Sequence, residues 1–277
     1  MDTVAGASAD LWWRGALLWL GAAYPAIMAT SLAMARCLGL VMISPVFNRL
    51  GITGMLRTMI ALVFAAPAVP MLLPEVIDGY SHAGHRLIGA LVIEMLVGMV
   101  LGAVYGVPIW AAEAAGELID LQRGSTMAQL VDPLSATESG VTATLLGVIM
   151  VAMFFLADGL FFMLQGLYTS YSIWPVGGFF PVMDGLGLAM LGLLDNVLRL
   201  AVMMIAPLMI AILVSDLMMA YLSRMAPSLH VFDLSLPVKN LLFAILLVLY
   251  MAVLLPDMAS LVASAQGVSD WVGTMRR

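Results

Sequence analysis

Charged side chains are scarce in this chain. Asp, Glu, Lys and Arg make up 10% of its 277 residues, whereas soluble domains carry about a quarter. Hydrophobic residues make up 63% of the sequence, and the mean hydropathy is +1.08. So few charges could not cover the core of a soluble protein of this size. The composition therefore excludes an ordinary soluble domain and predicts an integral membrane protein.

Lysine and cysteine are each present once, as Lys239 and Cys37. One cysteine excludes disulfides within the chain and cysteine-based metal sites, and its position in an apolar run is typical of a small buried side chain. The formal net charge is −6, and the sequence has no basic run that could neutralise phosphates. Nucleic acid is therefore excluded as a partner.

Sequence signatures of catalysis are missing as well. The chain has no GxxxxGK[ST], GxSxG or HExxH motif, and Ser125 and Ser139 have no histidine nearby in sequence. His82 and His85 lie in a connection with Glu75 and Asp78, but such scattered groups are more typical of a solvated loop than of a metal site. We expect no enzymatic activity, no cofactor and no metal. Energy for transport would come from an ion gradient or a partner.

Long apolar runs dominate what is present. A membrane span needs about 20 apolar residues, and several runs are too short, too long or interrupted by proline. Such lengths predict kinked helices and hairpins packed on protein. We therefore predict an all-α membrane protein with one domain, residues 1–277. The acidic start favours retention of the N-terminus over cleavage as a signal. The six runs are residues 11–43, 58–73, 87–112, 141–168, 186–222 and 241–265.

A glycine stripe follows Glu94 at intervals of four residues. Glycine at this spacing lets another backbone approach closely, which favours a helix–helix contact within this chain or with another. A carboxylate at the end of such a stripe is costly unless it is paired, so Glu94 is expected to have a basic or hydroxyl partner. The glycines are Gly98, Gly102 and Gly106.

Residues 113–138 hold six charged side chains between two apolar runs. On a continuing helix, Glu113, Glu117, Asp120 and Arg123 would form one charged stripe, and turn-forming residues from Asp132 onward would end that helix. The stripe indicates either a polar surface that faces a water-filled passage or a partner subunit, or a solvated loop. Both interpretations stay open.

Other charged residues interrupt the apolar runs. Asp195 and Arg199 are four residues apart, which places them on one helix face. Such residues form either a proton or substrate path, or contacts that hold subunits together in a protein-lined interior. The group also includes Asp158, Asp216 and Asp257.

The order of several motifs resembles that of the SctT/FliR family, inner-membrane export-apparatus proteins of type III secretion systems and bacterial flagella. The resemblance covers about residues 36–250. Residues 123–139, RGSTMAQLVDPLSATES, look more like the virulence-associated branch than the flagellar one. The matching motifs are Arg36 to Gly39 with Ser44-Pro45-Val46-Phe47 and Arg57, Glu94-x3-Gly98-x3-Gly102, Gly116-x3-Asp120-x3-Gly124, Asp132-Pro133, and Pro207, Asp216, Arg224-x2-Pro227, Phe232 and Pro237-x-Lys239.

This resemblance implies a non-enzymatic core subunit of an export gate in the bacterial inner membrane, within the secretion-system base. It implies bent hairpins in a hetero-oligomer with SctR-like and SctS-like subunits, joined by SctU-like and SctV-like proteins, through which unfolded substrate proteins pass. The candidates for lining or gating the passage are Glu113, Glu117, Asp120, Arg123 and Asp132. The candidates for helix or subunit packing are Arg36, Pro45, Arg57, Glu94, Gly98, Gly102, Gly106, Gly116, Gly124, Pro133, Asp216, Arg224, Pro227, Pro237 and Lys239.

Two other functions stay open from the sequence. One is a flagellar export-apparatus homologue. The other is a proton-coupled secondary transporter that uses Asp158, Asp195 or Asp216, although no inverted repeat is visible in the sequence.

Overall fold

A computed structural model describes residues 2–79, 84–124, 140–176, 186–225 and 231–264. These ranges are helical and contain no β-strand, which confirms the all-α prediction. Their helices are α1 (Asp2–Ile43), α2 (Pro45–Arg49), α3 (Met55–Ala65), α4 (Val69–Gly79), α5 (Gly84–Gln122), α6 (Val141–Leu156), α7 (Gly159–Ile173), α8 (Leu186–Met225) and α9 (Val231–Ser264).

Six segments of the described chain are candidates to cross a membrane. Four are single helices, Ala23–Ile43, Leu87–Gln122, Met190–Met225 and Ser235–Ala263. Two are bent pairs, α3 with α4 at 74° and α6 with α7 at 70°. Counting each bent pair as one span gives the six apolar segments and the kinked hairpins predicted from the sequence.

Both bends have local causes. Between α3 and α4, Pro67 lacks the N–H that a continuous helix would use. Between α6 and α7, Asp158 adopts φ 57°, the left-handed conformation that interrupts a right-handed helix. The Phe154 ring packs onto Gly159, where an added Cβ would lie 2.5 Å from its Cδ2. The bend at α6–α7 therefore needs a glycine.

Two of the apolar runs can be compared with the helices that they form. The run ending at residue 112 continues as helix to Gln122, so Glu113, Glu117 and Asp120 belong to α5. The solvated-loop interpretation is therefore wrong for these three residues. The run at 186–222, although long for one span, forms the single helix α8. A hydropathy window ends an apolar run at charged residues, but a helix can continue through them.

The first of two compact units contains α1 to α4, α5 as far as Ala103, and α7 from Leu164. In this unit α1 packs against α3 and α4. It also contacts α5 closely, because a Cβ added to Gly98 would overlap the Arg36 carbonyl oxygen, and one added to Gly102 would lie 2.6 Å from that of Leu40. The predicted glycine contact thus lies within the chain.

The second unit contains α5 from Val104, α6, α7 as far as Met163, α8 and α9. Here α9 packs against both α8 and α6. The side chains that fill this core are apolar and almost fully buried, and they include Ile109, Ile119, Leu146, Met150, Ile205, Ile212 and Leu254.

We predict that Gly98→Ala destabilises the first unit by about 1–3 kcal/mol, because the new methyl group overlaps backbone that cannot move aside. Denaturant unfolding of the purified protein in detergent measures the effect. Gly89→Ala on the same helix is the matched control, since a Cβ at Gly89 meets nothing within 4 Å. That control should be neutral or slightly stabilising. Equal effects of the two substitutions would contradict the contact.

Candidate functional site

A fully buried arginine joins three helices of the first unit. Arg36 of α1 donates from Nε to Glu94 Oε2 of α5 at 2.6 Å, and the side chains of both residues are no more than 1% exposed. Its Nη1 donates to the Ser170 hydroxyl of α7 at 2.8 Å. Its Nη2 donates at 2.9 Å to the carbonyl oxygen of Trp174, just beyond the end of α7. Each guanidinium nitrogen therefore has a partner.

The surroundings of Arg36 complete its solvation by protein groups. The guanidinium carbon lies 3.9 Å from the centroid of the Tyr171 ring, a cation–π contact. The Trp174 carbonyl is one of the acceptors that a helix leaves free at its C-terminus, where a cation is favourable. The partner that the sequence requires for Glu94 is Arg36. The arrangement replaces water around two buried charges and fixes α1, α5 and α7 together.

A second cluster lies in the second unit, where the last turns of α5 meet the start of α6. Asp120 is fully buried, and its Oδ2 accepts from the backbone N–H of Thr142 at 2.9 Å. Its Oδ1 accepts from the Thr142 hydroxyl at 2.6 Å and from Arg123 Nη2 at 2.7 Å. Asp120 thus bonds both Arg123, one residue beyond the end of α5, and Thr142 of α6.

Glu117 makes a similar bond to the residue that precedes α6. Its Oε1 accepts from the Gly140 backbone N–H at 2.7 Å. Gly140 is the N-cap of α6 and has no side chain with which to cap that helix. Carboxylates at a helix N-terminus satisfy free N–H groups and favour the positive end of the helix dipole. Two acidic residues of α5 therefore cap α6 from outside it.

Glycines make this approach possible. A Cβ added to Gly116 would overlap Ala143 Cα, so α5 and α6 meet through their backbones at this point. Opposite Gly147 the Glu113 side chain packs closely, with its Cγ 3.0 Å from the position of an added Cβ. The backbone contact brings the carboxylates within reach of the first turn of α6.

Further contacts tie the end of α5 to α8 and α9. Gln122 Nε2 donates to the Met209 carbonyl oxygen of α8 at 3.0 Å. The Arg123 guanidinium carbon lies 4.7 Å from the ring centroid of Phe243 on α9. Gly124 follows with φ 78°, a conformation that glycine adopts without strain. All these contacts lie within the second unit.

The remaining predicted packing residues fall in several places. Asp216 of α8 and Lys239 of α9 form an ion pair. Arg57 Nη2 donates at 2.9 Å to the Ile52 carbonyl oxygen and at 2.7 Å to Asn48 Oδ1, holding the turn between α2 and α3. Pro45 is buried at the start of α2, Gly106 is buried in α5, and Arg224 and Pro237 are exposed. Asp132, Pro133, Pro227 and His82 lie outside the described residues.

Asp195 and Arg199 of α8 are exposed, and no described residue gives either side chain a hydrogen-bond or ion-pair partner. Asp158 is also exposed, at the bend before α7. The charged residues that interrupt the apolar runs are thus of two kinds. Asp216 forms an ion pair within the chain, whereas Asp195 and Arg199 face outward.

Hydrogen-bonding and charge-neutralising groups make up these clusters, and a nucleophile with an adjacent base is not among them. The Ser170 hydroxyl donates to the Leu167 carbonyl oxygen at 2.6 Å. The sequence did not predict the contacts that are made by Ser170, Trp174, Thr142, Gln122 and Phe243. For Thr142 a signal existed, since it stands at the start of an apolar run, where helix-capping residues are common. The clusters hold helices together.

The Arg36–Glu94 pair generates a stability prediction. We expect Arg36→Met to destabilise the protein by about 3–5 kcal/mol, because it leaves the Glu94 carboxylate buried without its cation. The double variant Arg36→Met with Glu94→Leu should lose less than the sum of the single variants. Unfolding in detergent gives all three values. Strict additivity would contradict direct pairing of the two charges.

The Asp120 contacts generate a second prediction. Asp120→Asn should destabilise the protein by about 1–3 kcal/mol, because the acceptor of two Thr142 bonds and of Arg123 loses its charge. Thr142→Val removes the hydroxyl and keeps the backbone N–H, so it should cost about 1 kcal/mol. In the double variant the two losses should not add. If Asp120→Asn has no effect, the carboxylate does not cap α6.

Comparisons with known proteins found relatives over most of this chain. The chain is 35% identical over 158 residues to the Yop proteins translocation protein T of Yersinia pestis, covering 57% of this chain and 60% of that protein. The chain thus spans less than two thirds of that relative's length. It is 28% identical over 247 residues to the Surface presentation of antigens protein SpaR of Salmonella typhimurium, covering 88% and 91%.

A flagellar protein is also similar. The chain is 27% identical over 223 residues to the Flagellar biosynthetic protein FliR of Caulobacter vibrioides, covering 80% of this chain and 88% of the relative. A family model described as bacterial export proteins, family 1, matches residues 27–265, which include both charged clusters. With its multi-pass helices and a match over most of its length, this chain belongs to family 1 of the bacterial export proteins.

Proposed function

We propose that this chain is a non-enzymatic core subunit of the export gate of a type III secretion system. In this role it helps to form and gate the inner-membrane channel through which unfolded proteins leave the cell. The observation that carries the proposal is the family match over residues 27–265, which takes in nearly all of the candidate membrane spans. The relatives named for translocation and antigen presentation support the same role.

The secretion branch is favoured over the flagellar one. Identity to the Yersinia translocation protein is 35%, against 27% to the Caulobacter flagellar protein, although the aligned lengths differ. Residues 123–139 also resemble the virulence-associated branch. A flagellar export apparatus is the second candidate, because the Caulobacter flagellar protein is similar over 80% of this chain.

The partners we propose are SctR-like and SctS-like subunits in the gate itself, with SctU-like and SctV-like proteins beside them. A membrane complex of this kind suits a chain with long apolar helices and bent pairs. Such helices need protein surfaces where they extend beyond the lipid. Unfolded substrate proteins would pass through the assembly without covalent chemistry by this chain.

For the passage itself, the proposed lining or gating segment begins at the charged end of α5. Glu117 and Asp120 bond to the start of α6, Glu113 packs on α6, and Arg123 contacts α9. In the sequence, residues 125–139, which include Asp132, lie between α5 and α6. The capping bonds fix the first turn of α6 against the end of α5. We propose that this charged junction borders the passage.

The proposal predicts that deleting the gene in its native host stops export of type III substrates into the medium, and that the wild-type gene on a plasmid restores it. Affinity purification of the tagged chain should recover SctR-like and SctS-like subunits in one complex, identified by mass spectrometry. A multi-pass inner-membrane protein with the same tag is the control for non-specific recovery.

Two results would contradict the proposal. One is unimpaired secretion in the deletion strain together with a monodisperse chain that purifies without other membrane subunits. The other is movement of a small solute by the purified chain in vesicles under a proton gradient, which would favour the carrier alternative.

A further inference from the structure

Helix α8 buries one face against the rest of the second unit. This face includes Val197, Ala201, Ile205, Leu208 and Ile212, which recur at helical spacing. The amino-terminal half of α8 is otherwise exposed on most of its circumference, with Leu194 at 56%. One arc of that exposed surface carries both an acidic and a basic side chain. We call this arc the α8 outer face, and it consists of Leu188, Leu191, Gly192, Asp195, Leu198, Arg199 and Val202.

The length of α8 exceeds what a bilayer can cover. Its 40 residues extend about 60 Å, whereas the hydrocarbon core is about 30 Å thick. Leu188 is 75% exposed and Met225 is 84% exposed, and 37 residue steps of about 1.5 Å separate them by about 55 Å. Even at a tilt of about 40°, the two ends cannot both lie in hydrocarbon. Exposed apolar surface at one end or the other therefore lies outside the lipid.

The α8 outer face suits neither the hydrocarbon of the bilayer nor the water outside it. Inside the hydrocarbon, Asp195 and Arg199 would be charges with no partner among the described residues, which is costly. Outside it, the exposed leucines on the same face would form an apolar patch in water. A protein surface that is apolar and carries complementary charge satisfies both groups of side chains.

Gly192 adds a geometric observation. A Cβ built on this residue meets nothing within 4 Å, whereas Gly98 and Gly116 are packed against backbone of their own chain. Glycine weakens a helix by about 1 kcal/mol relative to alanine, and no contact among the described residues requires it here. An open glycine beside two outward charges allows a second helix to approach closely.

We propose that the α8 outer face is the docking surface for a membrane helix of another export-apparatus subunit. The partner helix places a cation against Asp195 and an acid against Arg199, and it passes closest to α8 at Gly192. Charge complementarity at the two residues fixes the register of the pair, and the leucines supply the apolar contact. This inference rests on the proposed function, since the partner is taken from that complex.

A charge swap tests the inference in the native host. Asp195→Arg combined with Arg199→Asp preserves composition, net charge and the i, i+4 spacing, but reverses the charges presented to the partner. We expect about a tenfold or greater loss of the complex that co-purifies with the tagged chain, because like charges then oppose each other. The amount of chain in the membrane, measured by immunoblot, should be unchanged.

Gly192→Leu is a second variant, which tests the close approach of the partner helix without changing any charge. It should lower recovery of the complex by a similar factor while leaving the chain level unchanged or higher, because leucine is the better helix former. Gly89→Leu puts the same side chain at an equally open glycine of α5, away from the α8 outer face, and should leave recovery of the complex near the wild-type level.

The partner is identified by a photo-crosslinking amino acid at Val202, on the same face. We expect a crosslink to another export-apparatus subunit. Crosslinks to lipid, to a second copy of this chain or within the same chain would overturn the inference, as would wild-type recovery in the charge swap. In those cases an intact wild-type complex leaves the proposed function standing. If the wild-type chain recovers no such subunit, the proposed function fails as well.

Discussion

The constraint on which this structure depends is that a charge removed from water needs an opposite charge or hydrogen bonds in its place. With 11 basic and 17 acidic residues in 277, the chain keeps few charges in its helices. Arg36 shows how the constraint is met: each of its three nitrogens donates to a different residue, and an aromatic ring covers its face. The bonds that replace water also fix the positions of three helices.

Helix α5 uses the same arrangement twice, once in each unit. Glu94 precedes Gly98 by four residues, and Gly116 precedes Asp120 by four, so a carboxylate and a glycine share one face each time. The glycine lets a second backbone approach, and the carboxylate then bonds to what that approach brings near. In the first unit it bonds an arginine, and in the second the amino-terminal turn of α6. In each unit, one glycine and one carboxylate therefore provide both close packing and charge neutralisation.

The sequence predicted the helical class, the six apolar segments, kinked helices and the glycine contact, because these follow from hydropathy, proline and spacing along the chain. It did not locate the bend between α6 and α7, which depends on the left-handed backbone of Asp158 and not on proline. It also indicated that Glu94 needs a partner. It did not identify Arg36 as that partner, since 58 residues separate the two and no local pattern joins them. The Trp174 carbonyl is a backbone group and leaves no mark on composition. Thr142 meets Asp120 across 22 residues, again through folding.

The passage-lining role of residues 113–132 stays a prediction, because no described contact distinguishes a channel wall from a packing surface. The charged pair on α8 differs from the clusters above in that its partner is not found among the described residues. Protein should therefore surround the charges that are kept in the apolar helices. A density map of the complex purified through this chain would show what surrounds them. We expect side chains of opposite charge from a neighbouring subunit within about 4 Å of Asp195 and Arg199. A map in which both face lipid or open solvent would contradict it.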